Sequence, residues 1–273
     1  MADADNDGVR LAYDRIGTPE GETVVFVEGL GYGRWMWRWQ RQELADSLDM
    51  LLWDNRGTGE SDTPEGPYAM SEMAADLEAV LADAGVERAH VVGASMGGMI
   101  AQQYALEYDR ATSLVLLSTT PGGPAEEPIP PETLDRMFDV PPEYDERESI
   151  RYKMEPAMTE QFWEENQDLI DDIVDWRLEM DASDRARQWQ AAAVEAFDVS
   201  EQLDAVTVPA LVIHGEDDRV VPVENGRLLA EKLPDSTFET VEDGGSHLCF
   251  VERASTVSDR IRDFVTTQQS TGE

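Results

Sequence analysis

Two hydrophobic rhythms alternate along the chain. Short, near-continuous apolar runs occur at "TVVFVEG" (23–29), "MLLWDNRG" (50–57), "AHVVGAS" (89–95), "SLVLLST" (113–119) and "ALVIHGE" (210–216). Runs rich in Val, Leu and Ile with no polar alternation fit parallel strands covered on both faces. "LAYDRIG" (11–17) reads as an antiparallel edge strand and "STFETVED" (236–243) as a late strand. Between the runs the period lengthens to 3.6. Met73, Leu77, Val80, Leu81 and Ala84 fall on one helical face, with Ser71 placed to cap the helix and Gly85 to end it. Val257, Ile261, Phe264 and Val265 form a similar stripe near the end, followed by "TTQQSTGE" (266–273), which is expected to fray. Alternating strands and helices predict an α/β fold, a mostly parallel sheet flanked by helices with right-handed crossovers.

Residues 121–205 break the rhythm. "PGGPAEEPIPPETLDRMFDVPPEYDERES" is Pro-rich, and an acidic helical stretch follows, carrying Phe162, Trp163, Ile170, Ile173, Val174, Trp176, Leu178, Trp189 and Phe197. No strand pattern returns until "VPALVIHG". The economical division is a core of residues 1–120 and 206–273, interrupted by a helical cap insertion at 121–205. No internal repeat is present.

Composition changes this picture in one respect. The formal charge is −37, and the basic residues are 19 Arg and only two Lys, Lys153 and Lys232. The acid is spread along the chain, so it is not an interaction tail. A nucleic-acid partner is excluded, because phosphate binding needs a basic face. Recurring apolar segments argue against disorder. The remaining reading is a surface adapted to concentrated salt, where self-repulsion is screened beyond about 3 Å at 1 M. No apolar run approaches the roughly 18 residues of a membrane span. "MADADNDGVR" lacks the basic and apolar regions of a signal peptide, so a cytoplasmic location is expected. The single cysteine, Cys249, permits no internal disulfide.

The candidate chemistry starts at "HVVGASMGGMIAQQYA" (90–105). Gly93-x-Ser95-x-Gly97 lies between a strand pattern and a helix pattern. A nucleophile on such a sharp turn needs small residues two before and two after it, so that the backbones can approach. The Met96 N–H would open the following helix, where negative charge is favoured. A serine nucleophile needs a base, and there are three histidines. His90 opens the strand leading to Ser95 and belongs at its far end. His214 ends a strand beside a tight turn, where a hydrogen-bonded polar residue suffices. His247 follows the last strand in the Gly-rich "VEDGGSHLCFVE", a loop able to bring an imidazole over the strand ends. The base needs an orienting carboxylate. "HGEDDRVVP" offers Glu216, Asp217 and Asp218; spacing favours Asp218, with Asp217 the alternative. Three scattered histidines show no metal-ligand spacing, so neither metal nor cofactor is implied.

Taken together, these segments resemble the α/β-hydrolase family, in its capped serine esterase and enol-lactonase branch, over about residues 10–266. "GASMGGMIAQ" is similar to the nucleophile elbow of enol-lactonases, carbon–carbon bond hydrolases and cofactor-free haloperoxidases. "WDNRGTGESD" (53–62) resembles the family's D-x-R-G-x-G-x-S loop, and "HGEDDRVVP" and "GGSHLCFVE" resemble its acid and histidine segments. The order Ser95, Asp218, His247 is that of the family's triad. The resemblance implies an acyl-enzyme mechanism on a small, largely apolar ester or lactone, with the backbone N–H groups of Leu30 and Met96 as the oxyanion hole. Serine at 95 argues against the dehalogenase and epoxide-hydrolase branches, which use Asp there. Peracid-forming or carbon–carbon bond-cleaving activity remains open, as does a ligand-binding protein on the same scaffold. Oligomeric state and natural substrate are not legible.

One departure is visible. The family commonly carries His-Gly after its early core strand, whereas this chain has "FVEGLGYG", with Glu28 in the histidine's place. A hydrogen bond from Glu28 bracing the loop, reaching "DNRG", is the simple expectation. Trp35, Trp37 and Trp39 in "RWMWRWQ" fit packing beside the sheet, with one of them able to line an acyl pocket. Cys249 reads as a small buried hydrophobe.

Overall fold

The computed structural model describes residues 1–242 and 245–268. It contains eight strands: β1 (Ala2–Asn6), β2 (Val9–Gly17), β3 (Thr23–Val27), β4 (Asp49–Trp53), β5 (Ala89–Ala94), β6 (Ala111–Leu117), β7 (Ala210–Gly215) and β8 (Ser236–Val241). They form one sheet in the order β1-β2-β4-β3-β5-β6-β7-β8. β1 and β2 pair antiparallel, and so do β2 and β4; every later pairing is parallel. All the β-branched runs therefore deliver their following loops to one end of the sheet, the rule for open α/β sheets.

The α-helices are α1 (Arg38–Leu44), α2 (Met70–Asp83), α3 (Met96–Glu107), α4 (Pro131–Phe138), α5 (Glu146–Met154), α6 (Glu160–Glu165), α7 (Gln167–Met180), α8 (Asp184–Glu195), α9 (Val223–Lys232), α10 (Cys249–Glu252) and α11 (Ala254–Gln268). The sheet is covered on both sides. Met73, Leu77 and Val80 of α2, Ile100 and Tyr104 of α3 and Leu229 of α9 share one buried cluster. Leu44 of α1, the α11 stripe Val257, Ile261 and Val265, and Ile170, Ile173 and Val174 of α7 share the other. The five helices α4–α8 all fall between β6 and β7, inside the segment whose sequence lost the strand rhythm. Among the described residues no helix is long and apolar enough to cross a membrane.

Three local expectations change. The segment 11–17 is antiparallel but not the edge; β1 pairs outside it, folded back by a turn in which Asp7 and Gly8 have φ of 52° and 87°. Asp-Gly with both residues at positive φ is the hairpin turn best matched to strand twist. Ser71 does not cap α2. The helix starts at Met70 after an Ala69 N-cap whose side chain caps nothing, and the Glu72 carboxylate reaches back to accept from the Ala69 N–H at 2.8 Å. Gly85 does end the helix, at φ 67°, and the Val86 N–H closes back on Leu81 O at 2.9 Å. The expected fraying at 266–273 gives way to helix through Gln268; the remainder, and Asp243 of the strand expected at 236–243, lie outside the described residues.

Candidate active site

β5 ends at Ala94, and Ser95 follows at φ 53°, ψ −119° before α3 begins at Met96. A non-glycine residue at positive φ costs roughly 1–3 kcal/mol and persists only where its surroundings hold it. Here the Ser95 N–H donates to Leu117 O at 2.9 Å, at the end of β6. The Ser95 carbonyl accepts from Gly98 N at 2.9 Å and from the Thr119 hydroxyl at 2.7 Å. The flanking glycines are demanded by contact. A Cβ on Gly93 would meet Gly97 O at 2.2 Å, and one on Gly97 would meet Val27 O at 2.0 Å. The turn is thus wedged against the end of β3, and the serine is left half-buried and reachable.

The loop after β3 lies beside this turn. A Cβ on Gly29 would stand 3.6 Å from Ser95 Cβ. The Gly29 N–H goes to Met36 Sδ at 3.4 Å, the Gly31 N–H to Gln190 Oε1 at 2.7 Å and the Tyr32 N–H to Gly29 O at 3.2 Å. Between these committed donors, the Leu30 N–H takes no protein acceptor among the described residues. Glu28 precedes Gly29, and neither oxygen of its carboxyl is paired with a donor among the described residues. Its backbone carbonyl instead accepts from Asn55 Nδ2 at 3.2 Å.

The acid and the base meet at the ends of the next strands. β7 ends at Gly215, and the chain turns so that Glu216 and Asp217 face solvent while Asp218 turns inward. One Asp218 oxygen accepts from the Val220 and Val221 N–H groups, both at 2.8 Å. The other lies 2.8 Å from His247 Nδ1 and 3.3 Å from His214 Nε2. Burial alone would raise the Asp218 carboxyl. The His247 charge and the hydrogen bonds from both imidazoles override it and hold the group well below the usual carboxylate range. His214 was expected only to satisfy itself; its Nε2 donates to Val221 O at 2.8 Å, and the same N–H faces the acid. The histidine loop is anchored to the inserted helices: Ser246 Oγ and the Leu248 N–H both donate to Ala157 O, at 2.7 and 3.0 Å.

Ser95, Asp218 and His247 therefore all stand at the carboxyl ends of parallel strands. The acid and imidazole are in contact; no hydrogen bond joins Ser95 Oγ to His247 among the described residues. Cys249, two residues on, is fully buried with its thiol pushed up to about 12 by burial, which leaves it inert as a nucleophile. His90 lies at the far end of β5, bonded to Ser113 Oγ at 2.7 Å. Trp35 and Trp37 are buried beside the sheet, and Trp39 meets Trp176 of α7 edge-on at 6.0 Å.

Other residues shape the site without having been legible. Gln190 of α8 is fully buried and bridges the Gly31 N–H to Arg56 O, where its Nε2 donates at 2.9 Å. Asp181, just after α7, accepts from Trp35 Nε1 at 2.9 Å and Arg177 Nε at 2.8 Å, with Arg187 Nη2 at 3.5 Å. Among the described residues, no three His, Cys, Asp or Glu side chains cluster as a metal site.

The chain matches the alpha/beta hydrolase fold family over residues 22–254. It is 28% identical over 250 residues to 3-oxoadipate enol-lactonase 2 of Acinetobacter baylyi, covering 90% of this chain and 89% of that one. It is 30% identical over 260 residues to "Putative carbamate hydrolase RutD" of Variovorax paradoxus, covering 93% of this chain and 96% of that one. Among solved structures, a thermophilic esterase from Thermogutta terrifontis superposes with a TM-score of 0.80 at 29% identity, covering 98% of each chain.

Proposed function

The chain belongs to the alpha/beta hydrolase fold family, and from that premise we propose that it is a serine hydrolase of small to medium, largely apolar carboxylic esters or lactones. One observation carries the reading: Ser95, strained at φ 53° on the β5–α3 turn, shares the carboxyl end of the sheet with an Asp218–His247 pair at 2.8 Å. In this mechanism His247 Nε2 takes the Ser95 proton as Oγ attacks the carbonyl. The Leu30 and Met96 N–H groups receive the oxyanion at the positive end of α3. Asp218 fixes the Nδ1–H tautomer and stabilises the imidazolium. The imidazolium then protonates the leaving oxygen. Water, activated by the same base, releases the acid and restores Ser95. The Ser95–His247 hydrogen bond forms as substrate fills the site, since catalytic contacts commonly close only in the substrate complex.

The insertion 121–205 acts as a cap over the strand ends, and its Met and Trp content favours an apolar acyl group. The exposed acid surplus suits concentrated salt. The experiment is labelling with a fluorophosphonate in multi-molar KCl, followed by peptide mass spectrometry. Modification at Ser95, abolished in Ser95→Ala and slowed sharply in His247→Ala, is expected, together with p-nitrophenyl butyrate turnover that needs Ser95. Label elsewhere, or no serine-dependent turnover, overturns the reading in favour of a binding protein on this scaffold. Bromination of monochlorodimedone with acetate and peroxide, if it outruns ester hydrolysis, reassigns the triad to peracid formation.

A further inference from the structure

Glu28 takes no part in the scheme above, yet it stands at the base of the loop that carries Leu30. It is 0% exposed, and neither carboxyl oxygen has a hydrogen-bond partner among the described residues. The opposite charge in its surroundings is Arg34, and that charge is spent mainly on other carboxylates. Asp54, after β4, is the charged neighbour of the same sign, and it is already engaged. It accepts from the Arg34 N–H at 2.8 Å, from Arg34 Nη1 at 2.7 Å and from the Glu60 N–H at 3.0 Å. The Arg34 charge is divided among Asp54, Glu60 and Asp14. On the β5–α3 side the serine turn packs against the Glu28 backbone, since a Cβ on Gly97 would meet Glu28 O at 2.7 Å. A carboxylate in this place would be a buried, unpaired charge beside a second one, which proteins avoid by neutralising the group. Burial first, and then the Asp54 charge, push the carboxyl well above the usual range.

A neutral acid has one O–H to give. The neighbouring segment holds a buried acceptor that lacks a donor: Asn55 Oδ1 is unpartnered, while the same amide already donates to Glu28 O. We propose that Glu28 is a positioning residue, a neutral carboxylic acid whose O–H, turned to the Asn55 amide oxygen, locks the Gly29–Leu30 loop against Ser95 in place of the histidine common in the family. Glu28 touches no reacting atom. It acts by holding the Leu30 N–H where the oxyanion forms. This rests on the serine-hydrolase reading for its effect on rate, but not for the protonation state.

The test separates the two. Infrared spectra of the intact protein in KCl at pH 7 are expected to contain a neutral-carboxyl stretch that is absent from Glu28→Gln and from Glu28→His. An unchanged spectrum in both variants, or ionised Glu28 at pH 7, overturns the proposal whatever the enzyme does. Unfolded Glu ionises near pH 4.3 while native Glu28 keeps its proton, so above that value the native state binds the extra proton and wild-type stability falls as pH rises. The folding equilibrium constant of wild type is expected to drop about tenfold per pH unit relative to Glu28→Gln from pH 5 upward, until the native group itself ionises. A flat difference overturns it. For turnover, Glu28→Gln, which keeps a donor, is expected to hold kcat within about threefold, while Glu28→Ala loses roughly 10²-fold in kcat with KM unchanged, the mark of an interaction made only in the transition state. Equal kcat in both variants, or a loss confined to KM, refutes the positioning role.

Discussion

Replacing Asp218 with asparagine exchanges one carboxylate oxygen for an NH₂ group, and the structure fixes which one. Oδ1 accepts two backbone N–H groups at 2.8 Å, so the amide oxygen must stay there. The new NH₂ then occupies the Oδ2 position, 2.8 Å from His247 Nδ1 and 3.3 Å from His214 Nε2. It can donate to His247 only if Nδ1 is bare, which forces the proton onto Nε2, the nitrogen that must receive the serine proton. A base locked in the wrong tautomer costs about 10⁴-fold in kcat in serine proteases, or about 5.4 kcal/mol of barrier. On the other side the NH₂ faces the His214 N–H that donates to Val221 O at 2.8 Å, so two donors oppose each other. Leaving a buried donor unsatisfied costs about 1–3 kcal/mol of stability.

The assay is kcat for p-nitrophenyl butyrate and the rate of fluorophosphonate labelling, each beside thermal melting in the same KCl. Both rates are expected to fall about 10⁴-fold while circular dichroism stays native and the melting temperature drops. The pH dependence has a definite sign. The native carboxyl is depressed, so its stabilising effect is present above the unfolded value near 3.9 and is lost as pH falls through that value toward the lower native one. The wild-type advantage over Asp218→Asn is therefore expected to shrink below pH 4 and to be level from pH 5 to 8. A kcat loss below about tenfold would refute the tautomer argument, and with it the assignment of Asp218 over Asp217.

Two further outcomes are expected. In Gly97→Ala the added methyl would stand 2.0 Å from Val27 O, backbone that cannot swing aside, so the β5–α3 turn is pushed off β3. Overpacking of this kind costs about 1–3 kcal/mol, and displacing one oxyanion donor costs about 10²–10³ in kcat. Gly85→Ala, with open space around it and φ 67°, serves as the control that loses stability but not rate. Loss of circular dichroism as KCl falls well below molar is expected from a charge of −37; unchanged melting in dilute buffer would remove the salt-adaptation reading.

How much of this was legible depends on how local each feature is. The parallel strands were readable because "VVFV", "VLL" and "LVI" admit no solvent-facing alternation, and β1 was not, because "ADADN" alternates alanine with acid and resembles the rest of an acidic surface. Its turn signal, Asp7-Gly8, was present in the sequence. The serine turn was readable because its small residues sit within two positions of Ser95. Among 58 acidic residues, by contrast, spacing favoured Asp218 but left Asp217 open; the turn after β7, which sends Asp217 outward and Asp218 inward, separates them. Gln190 gave no signal at all. Its bond to the Gly31 N–H joins residues 159 positions apart, and nothing local marks either partner. Glu28 stood out in the sequence as a departure, but its isolation did not, because that is a property of several neighbouring segments.

The scarce positive charge of this chain shows where rigidity is needed. Three guanidinium groups are buried to 14% exposure or less around the Glu28–Arg34 loop and its partners: Arg34 on Asp54, Glu60 and Asp14; Arg56 on Asp76 and Glu72; Arg177 on Asp181. Arg56 places Nε and Nη2 on the two oxygens of Asp76 at 2.5 and 2.8 Å, a fork that lysine cannot reproduce. Its carbonyl in turn receives Gln190, the residue that holds Gly31. Salt acts unequally on such a molecule. Exposed carboxylates repel over a Debye length that shrinks to about 3 Å at 1 M, while pairs removed from solvent are screened far less. Concentrated salt therefore relaxes the surface and spares the braces.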